Sequence, residues 1–218
     1  MPALPFLDND LILKISEYNL LDDLFKLLDT DPREAYVLHP AANMFESDRV
    51  RLTSEPNPQL TTAGINRAIA FASSAQHVSK RPGDQSIYDD LIVIDNIQIG
   101  ESQIVCAALD ITLDPLILTG DKKFIRAFGT NDSIKDVRAQ LLGRMVCVEE
   151  VLRALLVNGD INKVVSGVQQ APRDCDNGIS GAFGGVGAQD WVIIVDRLEK
   201  AIAELEAEVG EDLLCRLP

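Results

Sequence analysis

The chain has 218 residues, of which 46% are apolar and 25% charged, enough for one α/β domain with an added element or at most two small domains. No apolar run approaches the ~18 residues of a membrane span, and the opening MPALPFLDND lacks the basic stretch of a secretory signal. The net charge of −14, from 20 basic and 34 acidic side chains, argues against a simple nucleic-acid binder.

Leu4–Leu7 reads as a short first strand ending at Asp8. Leu11 to Leu20 and Leu21 to Leu28 are apolar at helical spacing, with Asp22 and Asp23 placed where carboxylates favour a helix start. Ala35–Leu38 is a second short strand stopped by His39-Pro40, followed by a helix over Ala41 to Phe45. Residues 53–58 form a loop, and Thr61 or Thr62 caps a helix running to about Val78. Residues 79–86 are a polar turn, and Tyr88 to Ile94 fits either helix or strand.

After Gly100, the spacing of Ile104, Val105, Ala108 and Leu109 predicts a helix. Leu116–Leu118 is a buried strand between Pro115 and Thr119-Gly120. Phe124, Ile125 and Phe128 mark a helix ended by Gly129, Met145–Val148 is a further strand, and Val151 to Val157 is helical. Short strands alternating with helices predict an α/β fold, a three-layer α/β/α sandwich with a short, mostly parallel sheet.

Five glycines between Gly178 and Gly187 predict a flexible loop and a boundary near 170–187, because so many glycines lose too much backbone entropy in regular structure. The division is thus a domain over 1–150 and a C-terminal helical extension over 151–218 carrying that loop. In the extension, Trp191, Ile194, Val195, Leu198, Ile202, Leu205 and Val209 fall on one helical stripe, read as core packing or a contact with a second copy. Cys106, Cys147, Cys175 and Cys215 form no CxxC pair, and only His39 and His77 accompany them. That pattern reads as thiols of a reducing cytoplasm rather than as a zinc site or disulfides.

The charge is unevenly spread. Residues 82–121 hold eight acids and no Lys or Arg, whereas 122–144 hold six bases against Asp132 and Asp136. Arg49, Arg51, Arg67, Lys80 and Arg81 make 45–81 slightly basic. An acidic hole rimmed by basic segments suits a metal site that also holds a phosphate backbone, although solvated helix faces give the same pattern.

Three acids stand at strand–turn–helix junctions: Asp8, Glu101 directly after Gly100, and Asp121 after Leu-Thr-Gly. Each has a purely structural reading as a helix cap or a partner of the helix dipole, although at the first junction Asp10 is the better-placed cap and Asp8 the better ligand. Their shared position is what adds meaning. Ligands of parallel α/β sheets bind in the crevice at the strand ends. Carboxylates meeting there repel one another unless protonated or neutralised by a cation.

Phe6-Leu-Asp8-Asn-Asp10-Leu-Ile-Leu-Lys14 resembles the opening motif of PIN-domain nucleases, a strand ending in an Asp. Asp95-x5-Glu101, with Gly before the Glu, resembles the Gly-Glu element of one branch of that family, and Leu118-Thr119-Gly120-Asp121-Lys122 its strand-end Thr-x-Asp element. The resemblance covers roughly residues 3–150. It implies Mg²⁺ or Mn²⁺ held by Asp8, Glu101 and Asp121, with Glu46 as the candidate for a fourth catalytic acid on the helix after the second strand. It also implies phosphodiester hydrolysis of RNA, with Thr119, Lys122, Lys123 and Arg126 on the substrate, and an inhibitory partner protein where such enzymes act as toxins of toxin–antitoxin pairs. A catalytically silent module of the same fold is the alternative, supported by the overall acidity. Asp8-Asn-Asp10 also resembles the nucleophile motif of haloacid-dehalogenase-like phosphatases, but Ile125 stands where their second late metal ligand belongs.

Overall fold

A computed structural model of the protein describes residues 3–54, 59–79, 83–111, 114–210 and 212–218. Its centre is a five-stranded sheet of β1 (Leu4–Leu7), β2 (Tyr36–Val37), β3 (Gln76–His77), β4 (Pro115–Thr119) and β5 (Met145–Cys147). The strands lie in the order β3-β2-β1-β4-β5, and every pair is parallel. Leu7 stands opposite Val37 on one side and Leu118 on the other. Side chains alternate between the faces of a strand, yet Phe6, Leu7, Ile117 and Leu118 are all fully buried. Both faces of the central strands are therefore covered, as in a three-layer α/β/α arrangement. The expectation of a mostly parallel sheet becomes an all-parallel one.

The chain builds outward from β1 to β2 and β3, then returns to lay β4 and β5 on the other flank. The direction of winding thus reverses between β1 and β4, and a crevice opens at the strand ends there. Two helix starts face that point. Asp8 follows β1 and caps α1 (Asn9–Glu17), which α2 (Leu21–Leu27) succeeds, by accepting the Leu11 amide at 2.7 Å. Asp121, two residues beyond the last residue of β4, caps α7 (Lys122–Thr130) by accepting the Lys123 amide at 2.7 Å and the Phe124 amide at 3.3 Å.

Several sequence expectations are corrected. The helix opening at Ala41 runs well past Phe45, as α3 (Ala41–Ser54), so the expected loop loses its first two residues; 55–58 lie outside the described residues. Thr61 caps α4 (Thr62–Ser74) through the Gly64 amide at 2.9 Å, but the helix stops short of Val78. The next residues instead pair with β2, Gln76 donating to the Ala35 carbonyl at 2.8 Å and Val78 to the Val37 carbonyl at 2.9 Å. A two-residue polar edge strand is too short to leave a periodic signature. The ambiguous stretch at Tyr88 falls in helix α5 (Gln85–Ile92), so Gln85 and Ser86 leave the expected turn, of which 80–82, including Lys80 and Arg81, are not described.

The region around Gly100 is α6 (Ile99–Asp110), after which come α8 (Lys135–Gln140), α9 (Val148–Asn158) and α10 (Ile161–Gln170). The glycine-rich run is not a continuous loop, because α11 (Asn177–Phe183) takes up Gly178 and Gly181. Its fixing comes from Asp176, which accepts the Ile179 amide at 3.0 Å, and from burial of Ile179 and Phe183. Packing and a cap outweigh propensity here. The stripe beyond it forms α12 (Trp191–Val209), burying Ile194, Leu198, Ile202, Leu205 and Val209. One contiguous apolar core extends from Phe6 to Leu217, and Leu214 bridges Met145 beside β5. All four cysteines are free thiols, and among the described residues no single helix is long and apolar enough to cross a membrane.

Candidate functional site

At the reversal point the sequence supplies an Asp after β1 and a Thr-Gly-Asp after β4, and parallel pairing brings them together. The Asp8 amide continues the ladder to the Leu118 carbonyl at 3.1 Å. Thr119 is fully buried and its hydroxyl donates to Asp8 Oδ2. The same hydroxyl accepts the Asp121 amide at 3.0 Å, so one side chain links both acidic junctions. The Gly120 amide lies 3.5 Å from Asp8 Oδ1.

Glu101 enters from α6. It closes a reciprocal cap with Gln98, its Oε2 accepting the Gln98 amide at 2.6 Å. That geometry is the structural role its sequence position suggested. It is nonetheless buried, and burial drives its carboxyl up to about 7, with Asp121, Asp8 and Asp10 pushing the same way against the Gln98 bond. Asp8 is likewise pushed up to about 7, first by burial and then by Asp10, against the hydrogen bonds from Thr119, Leu11 and Gly120. Glu101 therefore lies within electrostatic reach of both Asp8 and Asp121, and burial is the main reason that the Glu101 and Asp8 carboxyls are raised.

A buried cation stands beside them. Lys14, on α1, reaches Asp10 Oδ2 at 2.6 Å, Asp176 Oδ2 at 2.9 Å and the Gly120 carbonyl at 3.1 Å. Burial opposes its charge, but Asp10 and Asp176 outweigh that and hold the ammonium above the ordinary lysine range. Burial alone would raise Asp176, yet Lys14, the Ile179 amide and Lys122 bring it below the usual carboxylate range. A Cβ on Gly120 would stand 2.2 Å from Asp10 Oδ2, so glycine here lets the Asp10 carboxylate lie against the turn as it pairs with Lys14.

Glu46 lies on α3 in a half-exposed ion pair with Arg49 at 2.6 Å, and no hydrogen bond or ion pair links it to Asp8, Glu101 or Asp121 among the described residues. Of the basic candidates, Lys122 donates to the buried Glu149 at 2.6 Å and Arg126 pairs with Glu208, while Lys123 is exposed. Lys14, Asp176 and Glu149 were not identified from the sequence. Asp10 and Lys14 carry a readable i,i+4 pairing signal, but nothing local tells that Asp176 and Glu149 return to the same place.

The donor chemistry here fits a hard divalent cation, because the candidate ligands are all carboxylate oxygens and an added positive charge would keep both raised carboxyls ionised. Among the described residues, no three His, Cys, Asp or Glu side chains stand in the geometry of a metal-holding group. No family model, curated protein or solved structure matches the chain.

Proposed function

We propose that the protein is a metal-dependent endoribonuclease on a PIN-like α/β/α fold, with Asp8, Glu101 and Asp121 as the ligands of Mg²⁺ or Mn²⁺. One observation carries the reading. Asp8 and Asp121 follow the two central parallel strands where the winding reverses, joined through Thr119, with Glu101 close enough for their charges to raise its carboxyl. When bound, the cation would polarise a phosphoryl oxygen and lower the pKa of a water. Thr119 orients Asp8 by holding Oδ2, and the helix-cap bonds hold Glu101 Oε2 and Asp121 Oδ1 in fixed directions. Exposed Lys123 is the candidate to receive a phosphate of the RNA backbone.

The test is cleavage of single-stranded RNA in Mn²⁺ by the wild type and by Asp8→Asn and Asp121→Asn. Both variants retain a capping side chain, so each should keep its fold and lose cleavage; equal cleavage by all three would refute the reading. Mn²⁺ should also raise thermal stability, by about 2.7 kcal/mol at a hundredfold excess over Kd. That gain should grow as pH rises through about 7, because protons on Asp8 and Glu101 compete with the ion.

A catalytically silent binding module is the second reading. It draws support from Lys122 and Arg126, whose charges are taken by Glu149 and Glu208. Under that reading the wild type shows no Mn²⁺-dependent stabilisation at any pH.

A further inference from the structure

We propose that Asp176, in the C-terminal segment, is a positioning residue: through its ion pair with Lys14 it fixes the Gly120 turn that carries Thr119 and Asp121. The proposal deepens the nuclease reading, on which its metal arm rests.

An ammonium has three N–H donors, and Lys14 has three acceptors around it: Asp10 Oδ2, Asp176 Oδ2 and the Gly120 carbonyl. The Lys14 side chain is only 10% exposed, so water cannot readily stand in for a lost partner. The three acceptors come from α1, from the residue preceding α11, and from the turn after β4. Lys14 therefore ties the C-terminal segment to the acidic junction.

Asp10 alone would not orient this lysine. It is half-exposed and sits one turn away on the same helix, so its attraction draws the ammonium along the α1 surface towards solvent. Asp176 is mostly buried and holds the same ammonium from a distant part of the chain. Held by both, the ammonium donates to the Gly120 carbonyl at 3.1 Å. The amides on either side of that carbonyl are anchored too, Gly120 towards Asp8 Oδ1 and Asp121 on Thr119 Oγ1. Removing Asp176 charge leaves Lys14 buried with a single anionic partner, and relief lies in swinging towards Asp10 and away from the turn.

Asp176 has a second role that must be separated from the first. Its Oδ1 caps α11 through the Ile179 amide, whereas Oδ2 meets Lys14. Asn is as good a cap as Asp but carries no charge. Asp176→Asn thus keeps the cap and removes the ion pair, and Asp176→Glu returns the charge.

Two measurements decide the matter. In metal-free protein, amide hydrogen exchange at Asp121 should accelerate about tenfold in Asp176→Asn and return towards the wild-type rate in Asp176→Glu. Mn²⁺ affinity, read by electron paramagnetic resonance with Mn²⁺ alone, should fall roughly 10- to 100-fold, as for other residues that orient ligands. Unchanged Asp121 exchange, or equal Mn²⁺ affinity in wild type and Asp176→Asn, would overturn the proposal and leave Asp176 a helix cap. A wild type that takes up no Mn²⁺ would instead fell the nuclease reading, with exchange still deciding the role of Asp176. Lys14→Met removes the same tie from the other end, and its Asp121 exchange decides the question should Asp176→Asn not fold.

Discussion

Asp8 combines two jobs that conflict. As a cap it accepts the Leu11 amide, and as a buried carboxylate beside Asp10 it resists ionising. Its folded-state pKa lies above the unfolded one, so the folded protein binds the proton more tightly. The associated stability is present below about pH 4 and is lost as pH rises to about 7. Denaturant titrations of metal-free protein across that window should show a decline of up to about 4 kcal/mol from this group, and Asp8→Asn should remove that decline. Thr119→Val, which keeps shape and deletes the hydroxyl, should cost about 1–3 kcal/mol at pH 8 by stripping a donor from the buried carboxylate. It should also move the Asp8 titration further upward. The cap at Asp121 is legible in the sequence because it depends on neighbours a few residues away. At the first junction the sequence favours Asp10 as the cap, and the structure gives that role to Asp8, because α1 opens at Asn9, with only Asp8 between it and the strand. The burial that raises Asp8 is not legible there, because it depends on elements that arrive later in the chain.

Elements built on strong local signals kept their identity, and those built on long-range pairing did not show in advance. The β4 run Leu116–Leu118 is apolar, bounded by Pro115 and Gly120, and carries a strand signal of its own; β3 is two exposed polar residues held by β2. α11 forms in a glycine-rich run because Asp176 caps it and its own Ile179 and Phe183 are buried. A close helix approach supplies a test at this scale. A Cβ on Gly167 of α10 would lie 2.2 Å from the Tyr18 carbonyl oxygen at the end of α1. Gly167→Ala should therefore lower stability by about 1–3 kcal/mol, measured by urea denaturation, since backbone has to move to admit it. Two further acids from the C-terminal half, Glu149 of α9 and Glu208 of α12, take the Lys122 and Arg126 cations expected for substrate. Charge composition along the chain showed the basic run but not its partners.

At the scale of the molecule, α12 lays its apolar stripe against α9 and α7, and Leu213, Leu214 and Leu217 close the core beyond it. The segment after 150 is thus packed into the same core as the sheet. Circular dichroism and calorimetry should record one cooperative transition, with equal van't Hoff and calorimetric enthalpies. Deleting residues 188–218 should abolish that transition, because it uncovers the faces of α7 and α9.

Local sequence is enough to specify the alternation of short apolar strands with amphipathic helices, and the acids that begin helices where strands end. These follow from period, caps and turn residues, all set within a few positions of one another. Tertiary structure alone decided that the reversal of winding falls between β1 and β4, that burial raises two of those acids, and that Asp176 returns to Lys14. Strand order and burial are sums over contacts distant in the chain, and no local pattern encodes which distant residue will complete them.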